Sequence, residues 1–375
     1  MPDLVPDPPA SPPSRPAAAA AGTGWDAEEF RGQVQSALEE FLAAQSERLQ
    51  VLGPDAGRLL DEARAATRGG KRFRAAFCWW GYRAVQPEVS DEKSLVRACA
   101  ALELLHASAL VHDDYMDASD TRRGRPATHH GFAAEHRDLG WRGDPGQYGA
   151  AAAILLGDLL LSWADELLRH SGLPLERVAA ALDVFDLCRS EVIAGQFLDV
   201  SVQARGHADV QTAMTVLRYK SAKYSIERPL HIGAALAGAA PTTLEQLTEF
   251  GLPLGEAFQL RDDLLGVFGD PATTGKPAGD DLIEGKRTVL VALALQAAEP
   301  RQAAELDAAL GGALSPEQVD RLRHIIDGSG AHRSVEEMID RLADQALAAL
   351  ERASVDDRAR QVLRELAVAA TRRTV

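Results

Sequence analysis

Residues 102–117 read LELLHASALVHDDYMD, an apolar stretch that ends in three carboxylates. Its apolar residues predict a helix with a buried face. On that helix Asp113 and Asp117 lie one turn apart on the same side. Because stacked carboxylates repel each other, the arrangement favours a hard divalent cation such as Mg²⁺ between them. A solvent-exposed acidic helix end is the alternative that this stretch alone leaves open.

The helical pattern continues on both sides of this stretch. From Trp25 onward, apolar residues recur every three or four positions almost to the C-terminus. We find no alternating run of useful length that predicts a β-strand. We therefore expect an all-α, single-domain fold with about ten to twelve helices. The predicted helices cover residues 95–115, 150–169, 175–202, 210–220, 244–265, 287–298, 316–326, 335–350 and 356–369.

Several helix starts and gaps have recognisable signals. Asp91 and Ser315 are typical N-cap residues, and Asp356 is read as an ordinary acidic helix start. Residues 129–149 and 269–285, rich in glycine and polar residues, are interpreted as long loops. Loops of this length in a compact helical domain are often functional.

The N-terminal segment differs in composition from the rest of the chain. Residues 1–24 hold seven of the 19 prolines and an alanine run. They contain too little apolar bulk to fold alone, so we expect a disordered Pro/Ala-rich tail. Residues 25–375 are expected to form the folded, functional domain.

The chain is acidic overall. Its 375 residues include 40 Lys+Arg and 55 Asp+Glu, a net charge of −15, which argues against nucleic acid as a partner. No apolar run approaches the ~20 residues of a spanning helix, and the N-terminus lacks a signal-peptide pattern. We expect a cytoplasmic protein that is not an integral membrane protein. Its three cysteines, without metal-site spacing, are expected to be buried free thiols.

Two basic segments accompany the acidic stretch. Arg122 and Arg123 follow it closely, and guanidinium groups bind phosphate bidentately. Together with the carboxylates they predict a diphosphate clamp; alone they would be a solvated basic turn. Upstream, residues 69–74 (GGKRFR) combine two glycines, whose N–H groups can approach an anion, with Lys71 and Arg74 on the helix expected to follow. A helix end followed by a basic turn is the alternative there.

A second acidic pair, Asp262 and Asp263, lies near the end of another predicted helix. It would complete a two-sided metal cage if it faced the first pair across a cavity. In isolation, a solvated acidic turn explains it equally well.

Three lysines lie close to small residues or glycine: Lys220, Lys276 and Lys286. Singly, each is compatible with an ordinary surface lysine. Asp280 and Asp281 lie between the last two lysines and are candidates for a supporting role.

Five motifs in a fixed order give the chain a family resemblance. They are GGKRFR (69–74), HDDYMDASDTRRGRP (112–126), GQFLD (195–199), YKSAKY (219–224) and FQLRDDLLGVFGD (258–270). The chain resembles the trans-isoprenyl diphosphate synthases of the polyprenyl synthetase family, especially bacterial members that make geranylgeranyl or longer diphosphates. The resemblance implies a helical bundle of the isoprenoid-synthase type around a central cavity. It also implies a homodimer that joins isopentenyl diphosphate to an allylic diphosphate.

The resemblance further implies roles for individual residues. Asp113 and Asp117 would bind two Mg²⁺ ions and Asp262 a third, with Asp114 and Asp263 as supporting carboxylates. The groups expected to contact the allylic diphosphate are Arg122, Lys220, Lys276 and Lys286. The groups expected to hold isopentenyl diphosphate are Lys71, Arg74, His106 and Arg123. The allylic cation would be stabilised by the Lys220 carbonyl, Ser221 and Gln259.

Two positions depart from the family pattern. Position 266 is glycine, so the second acidic motif lacks the last carboxylate of a full DDxxD. Asp262 remains, so we expect the metal site to persist. Position 75 is alanine where many members have proline, which we expect to alter a helix start and leave the chemistry unchanged.

Product length is argued from the helix before Asp113, along which the product grows in this family. The residues four and five positions earlier are Ala109 and Ser108, one turn deeper, about 5.4 Å. Both are small, so no floor is expected there, and Leu105 is the next candidate. We predict a product of C20 or longer, with geranylgeranyl diphosphate favoured.

Three other functions fit the motifs less well, and one of them, an HD-type phosphohydrolase, lacks the separate His and Asp ligands that it needs. A class I terpene cyclase shares the acidic helix and Mg²⁺, but its usual NDxxSxxxE-type motif is missing and it needs no isopentenyl site. A regulatory subunit of a heteromeric synthase would be expected to have degraded acidic motifs, whereas the first motif here is intact.

Overall fold

The computed structural model describes residues 25–269 and 279–372. The α-helices are α1 (Ala27–Leu49), α2 (Pro54–Thr67), α3 (Phe73–Val85), α4 (Glu92–Met116), α5 (Thr128–Asp138), α6 (Pro145–Arg169), α7 (Leu175–Arg205), α8 (Val210–Val216), α9 (Arg228–Ala237), α10 (Pro241–Phe268), α11 (Asp280–Ile283), α12 (Val289–Ala297), α13 (Pro300–Ala309), α14 (Pro316–Gly328), α15 (Ala331–Arg352) and α16 (Asp357–Thr371). The predicted all-α fold is confirmed. The helices outnumber the roughly ten to twelve expected, since several are short.

A 3₁₀ turn, a π-helical segment and a two-stranded hairpin complete the described ranges. A 3₁₀ turn covers Gln50–Leu52, and a π-helical segment covers Leu217–Glu227. Strands β1 (Thr121–Arg122) and β2 (Arg125–Pro126) pair antiparallel in a small hairpin directly after α4. The hairpin therefore presents the Arg122–Arg123 segment beside the end of the acidic helix.

The predicted caps of three helices are confirmed. The side chain of Asp91 accepts a hydrogen bond from the backbone N–H of Ser94 (3.0 Å) at the start of α4. Ser315 begins α14 with a reciprocal capping box that includes Gln318. Asp356 caps α16 as an ordinary helix start. In each case a polar side chain satisfies N–H groups that the first helical turn leaves without a partner.

The predicted loop over residues 129–149 is wrong. Most of it is α5, which buries Phe132, Ala133 and His136, and the first turn of α6. Glycine and histidine suggested a loop, but a helix can include them when one of its faces is packed. Tertiary packing therefore overrode a weak local preference.

Part of the second predicted loop and the predicted N-terminal tail lie outside the described residues. These are residues 270–278, which include Lys276, and residues 1–24. The described end of that loop forms the short helix α11, preceded by Gly279 in a left-handed conformation.

Helix α4 belongs to the core. It packs with α1, α3, α6, α7 and α9 in one large apolar cluster, while α8 and α10 to α15 contribute to a second. By length and composition α4 could cross a membrane, but 78% of its most apolar 18-residue window is buried inside the fold. The predicted burial of the three free cysteines is confirmed; they are Cys78, Cys99 and Cys188.

The predicted helix over 210–220 changes character midway. It begins as α8 and continues as the π-helical segment, which then runs into α9. π-Helical turns are rare and are frequently found at functional sites. No feature of the hydrophobic period distinguished this segment from an ordinary α-helix.

Glycines on two neighbouring helices bring backbone directly against the π-helical segment. A Cβ at Gly195 of α7 would lie 2.4 Å from the backbone nitrogen of Lys220. A Cβ at Gly255 of α10 would lie 2.4 Å from the carbonyl oxygen of Ala222. Close backbone approach on both sides thus requires glycine and holds the segment between α7 and α10.

Candidate active site

A single large cavity, of about 1200 Å³, gathers most of the predicted site residues. It is lined from α3, α4, α6, α7, the π-helical segment, α10 and the residues before α12. The predicted residues in its wall are Lys71, Arg74, Leu105, His106, Ser108, Ala109, Asp113, Arg122, Arg123, Lys220, Ser221, Gln259, Asp262, Asp263 and Lys286. Its lining combines charged side chains with apolar ones such as Leu105, Val192 and Phe258, which suits a ligand with a charged head and a long apolar tail.

At the α4 wall, Asp113 has basic and amide partners. Gln196 donates a hydrogen bond to it (3.0 Å), and the ammonium of Lys220 lies 3.3 Å away. Lys220 also contacts Asp199 at 2.6 Å. Burial by itself would raise the pKa of Asp113, but the charges of Lys220, Lys286 and Arg122 outweigh it and lower the pKa to about 2. This carboxylate is ionised at neutral pH.

Asp117, one turn further along, has a different environment. Its side chain is only 2% exposed, and no donor among the described residues hydrogen-bonds either of its oxygens. Lys286 lies 3.4 Å away. Burial, followed by the charge of Asp113, raises the pKa of Asp117 to about 6. A buried carboxylate with unused oxygens is chemically suited to a cation.

Lys286 connects the α4 wall to α11. Its ammonium contacts Asp117 and Asp281, each at 3.4 Å, and also Glu284. These charges hold its pKa well above the ordinary lysine value despite the opposing effect of burial. A permanent positive charge therefore lies between the acidic groups.

At the α10 wall, Asp263 is buried and has no basic partner of the kind that Asp113 has within the part of the chain that the structure describes. Gln259 donates a hydrogen bond to it at 2.8 Å. Burial, followed by the charge of Asp281, raises the pKa of Asp263 to about 8. Asp262 lines the cavity next to it. This wall thus holds a protonated carboxyl at neutral pH.

The missing carboxylate at position 266 has a spatial counterpart. A Cβ at Gly266 would lie 2.0 Å from Oδ2 of Asp281, which comes from α11. The glycine therefore leaves space that a carboxylate from another segment occupies. Both Asp281 and Gly266 border the cavity.

The Arg122–Asp114 pair lies behind the α4 wall. Nε of Arg122 donates to Oδ1 of Asp114 at 2.8 Å, and the terminal nitrogen makes a second contact with the same oxygen. Asp114 is 3% exposed and Arg122 also lines the cavity. Asp114 therefore orients an arginine, and its supporting role at the metal site stays a prediction.

The basic end of the cavity is built around Tyr224 on the π-helical segment. The guanidinium of Arg74 lies over its ring, 4.2 Å from the centroid, and donates to Ser225 at 2.8 Å. Nδ1 of His106 lies 2.6 Å from the tyrosine hydroxyl. Burial, followed by the charge of Arg74, lowers the pKa of His106 well below its usual value. His106 is neutral at pH 7.

The basic loop before α3 differs from the prediction. Lys71 lies before the helix rather than on it, because α3 begins only at Phe73. Arg123 reaches across from the hairpin and donates to the carbonyl oxygen of Arg68 at 2.7 Å. Its guanidinium lies against Gly70, 3.2 Å from where a Cβ would be.

The predicted floor residues line the apolar part of the cavity. Ser108 is buried, and its hydroxyl donates to the carbonyl oxygen of Gly157 on α6 at 2.7 Å. Ala109 and Leu105 border the cavity one turn of α4 apart. Ser108 and Ala109 thus border the cavity beside α4 with small side chains, and their part in setting product length stays a prediction.

The described residues contain no cluster of three or more Asp, Glu, His or Cys side chains placed to hold a metal ion by themselves. Mg²⁺ characteristically uses one or two protein carboxylates and takes its remaining ligands from water and substrate phosphates. The unpartnered oxygens of Asp117, with Asp113 one turn away, fit that mode of binding.

Sequence reasoning assigned no role to three residues that shape this site, and only a general supporting role to a fourth. Asp199 pairs with Lys220, Gln196 with Asp113, and Tyr224 with His106. All three belong to motifs that the chain shares with the family, and those motifs were the sequence signal that could have identified them. The fourth, Asp281, was only a candidate for support, since nothing in the sequence places it against Gly266.

Comparisons with known proteins agree with this geometry. The profile of the Polyprenyl synthetase family matches residues 58–327. A geranylgeranyl diphosphate synthase of Mycobacterium tuberculosis is 33% identical over 293 residues, 77% of each chain. A geranylfarnesyl diphosphate synthase of Aeropyrum pernix is 34% identical, covering 70% of this chain and 77% of that one.

Solved structures point the same way. A geranylgeranyl pyrophosphate synthase from Corynebacterium glutamicum, complexed with isoprenyl diphosphate and magnesium, superposes with a TM-score of 0.91 at 42% identity. The match covers 93% of this chain and all (100%) of that one. Neither a terpene cyclase nor a regulatory subunit is favoured by these relatives. The chain belongs to the polyprenyl synthetase family and is a trans-prenyltransferase.

Proposed function

We propose that the protein condenses isopentenyl diphosphate with an allylic diphosphate and releases a trans-polyprenyl diphosphate of C20 or longer, chiefly geranylgeranyl diphosphate. The observation that carries the proposal is the cavity itself. Acidic and basic groups crowd one end of it, and small residues open the apolar space beside α4. The relatives named above make C20 and C25 products by their names, so the exact length rests on this geometry.

The allylic diphosphate would bind between the two acidic walls. Lys220, Lys286 and Arg122 supply positive charge there, and Lys276 is proposed to add to it from outside the described residues. Asp113, Asp117 and Asp262 would hold Mg²⁺, three ions in all, which when bound would neutralise charge on the departing diphosphate. Breaking the allylic C–O bond leaves a carbocation facing Ser221, Gln259 and the Lys220 carbonyl.

Isopentenyl diphosphate would bind at the basic loop. Lys71, Arg74 and Arg123 are its proposed charged contacts, and neutral His106 is a proposed hydrogen-bond partner. The double bond of isopentenyl diphosphate attacks the allylic cation, forming a C–C bond, and a proton leaves to the released diphosphate. No protein base is then required, which suits a site whose histidine is already held by Tyr224.

The central experiment uses purified protein with Mg²⁺, isopentenyl diphosphate and each allylic primer in turn, with products identified by mass spectrometry. We expect condensation that stops mainly at C20. Absence of condensation with every primer would overturn the proposed function. Cyclised hydrocarbon from a single prenyl diphosphate would instead support a terpene cyclase.

Product length is tested by filling the space beside α4. Ala109→Phe should shorten the product, because an aromatic ring would close the cavity about one turn below Asp113. Leu187→Phe, at an exposed position of α7 that is not among the cavity-lining residues, provides a comparison of equal bulk. An unchanged product from Ala109→Phe would contradict the proposed floor.

The family resemblance implied a homodimer, and we extend that proposal to this chain. Helices α6 and α7 expose large apolar side chains, including Leu155 (61%), Ile193 (56%) and Phe197 (74%). Exposed apolar patches often mark association surfaces. Light scattering should give the mass of a dimer, and Phe197→Glu should shift it towards the monomer. A monomeric wild-type protein would contradict this.

A cytoplasmic location is likewise proposed.

A further inference from the structure

Arg72 has an unusual place beside the proposed isopentenyl diphosphate site. The other two basic residues of the GGKRFR motif, Lys71 and Arg74, are proposed substrate contacts. Arg72 itself is almost fully buried, with a side chain only 4% exposed. Its backbone is left-handed, with φ of 55° and ψ of 34°, a conformation that non-glycine residues rarely adopt. Such a conformation persists only where the surroundings enforce it.

The surroundings that enforce it come from three other segments. Nη1 of Arg72 donates to Glu103 on α4 at 2.9 Å, and Nη2 donates to Gln35 on α1 at 2.7 Å and to the carbonyl oxygen of Thr67 at 2.6 Å. Glu103 is also buried, with its side chain 5% exposed. Both terminal nitrogens of Arg72 are thus occupied by protein groups, although Arg72 and Glu103 both border the cavity.

Glu103 has a second function at the start of α3. Its other oxygen accepts a hydrogen bond from the backbone N–H of Ala75 at 3.3 Å. A carboxylate near the first turn of a helix also interacts favourably with the helix dipole. One side chain therefore fixes both the strained residue before α3 and the first turn of the helix that carries Arg74. The presence of alanine at position 75, where proline has no N–H, makes this bond available.

Glu103 also belongs to α4, the helix that carries the proposed metal ligand Asp113. His106 lies one turn later on α4, and Asp113 follows at the polar end. A buried ion pair thus joins the loop that would hold one substrate to the helix that would hold the metal end of the other.

We propose that the Arg72–Glu103 ion pair positions Lys71 and Arg74 for isopentenyl diphosphate, without contacting it. The proposal deepens the proposed function and rests on it. Loss of the pair is expected to weaken isopentenyl diphosphate binding and to leave the allylic substrate and the chemical step largely unaffected.

Glu103→Gln is the first test, with each substrate varied while the other is saturating. We expect KM for isopentenyl diphosphate to rise roughly tenfold, within the range that misplacement produces. KM for the allylic diphosphate and kcat should change little. Ala75→Pro removes only the N–H bond and keeps the ion pair, so KM should stay near the wild-type value. Glu135→Gln breaks a 2.7 Å ion pair with Arg58 away from the cavity and serves as the matched control.

A double variant separates positioning from stability. Replacing a buried ion pair with apolar residues of similar size often leaves stability unchanged. Arg72→Met with Glu103→Leu should therefore melt near the wild-type temperature and still show the raised KM. Direct binding of isopentenyl diphosphate, measured by calorimetry without metal or allylic substrate, should weaken by the same factor.

The outcomes distinguish this proposal from the proposed function. If wild-type protein does not bind isopentenyl diphosphate, the proposed function itself is wrong. If wild-type protein binds it and the folded double variant binds it equally well, the positioning role is wrong. If all kinetic constants fall together in Glu103→Gln and recover in the double variant, the pair is merely structural, which also overturns the proposal.

Discussion

The α4 and α10 walls of the cavity carry the same residue type in different surroundings. On α4, Asp113 has Lys220 and Gln196 as partners, and its pKa falls to about 2. On α10, buried Asp263 has an amide partner, and its pKa rises to about 8. The same side chain is therefore a charged group at one wall and a neutral acid at the other.

The difference shows that an acidic motif does not specify its own charge state. At the α4 wall, basic side chains hold Asp113 ionised before any ligand arrives. At the α10 wall, a carboxyl group would have to give up a proton for the wall to carry full negative charge. A cation would thus displace lysine contacts at one wall and a proton at the other.

The largest expected effect is at the α4 wall. Asp117→Ala should lower kcat by roughly 10²–10³-fold, the usual effect of removing a group that stabilises transition-state charge. Steady-state assays with Mg²⁺ would measure it. Asp357→Asn, at the exposed start of α16, is the control and should be silent. A loss below about tenfold would show that the two walls do not differ as described.

A smaller effect on activity is expected from changing Asp281, the carboxylate from α11 that lies beside Gly266 at the α10 wall. Asp281→Ala should lower activity roughly 10–100-fold, as for groups that support metal ligands. Gly266→Asp alone should also be impaired, because its side chain meets the Asp281 carboxylate. The double variant should recover part of the activity, and kinetics of all three variants would show it. Simple additivity would refute a shared position.

The pH dependence of stability should distinguish the walls next. Asp263 has a folded-state pKa raised above its unfolded value, so its contribution is fully present at low pH and is lost as pH rises through about 8. Asp263→Asn should therefore stabilise the metal-free protein, by up to about 1.4 kcal/mol per pH unit between pH 5 and 8. Thermal melts across that range would measure it. A constant difference would contradict the raised pKa.

An Asp-to-Asn substitution at the α4 wall should lower the stability of the protein, whereas Asp263→Asn should raise it. Asp114→Asn leaves the partly buried guanidinium of Arg122 without its counter-charge. We expect a loss of about 1.5–3 kcal/mol in the free energy of unfolding, typical of a hydrogen bond to a charged group. Urea denaturation at pH 7 would measure it. Stabilisation by both substitutions would show that the pairing of Asp114 is unimportant.

Much of the fold and most of the site were predictable from particular sequence features. Helix periodicity predicted the long helices, because burial of one face repeats every turn. The two acidic motifs and the basic loop predicted cavity residues, because carboxylates and guanidinium groups are matched to cations and phosphate. The predicted loop over 129–149 failed, because α5 is stabilised by packing that periodicity alone does not reveal.

Other features required long-range contacts and could not be predicted. The π-helical segment depends on backbone approach at Gly195 and Gly255 from two other helices. The Arg72–Glu103 pair joins residues 31 positions apart, and nothing local distinguishes these two charges from solvent-exposed ones.

Periodicity and motifs of fixed spacing were enough to establish the helical architecture, the family and the chemical types of groups in the site. Which carboxylates are ionised, and which segment supplies the carboxylate beside Gly266, depend instead on how the chain folds. The reason is physical. A pKa depends on burial and on charges brought close by folding, and those neighbours come from segments distant in the chain.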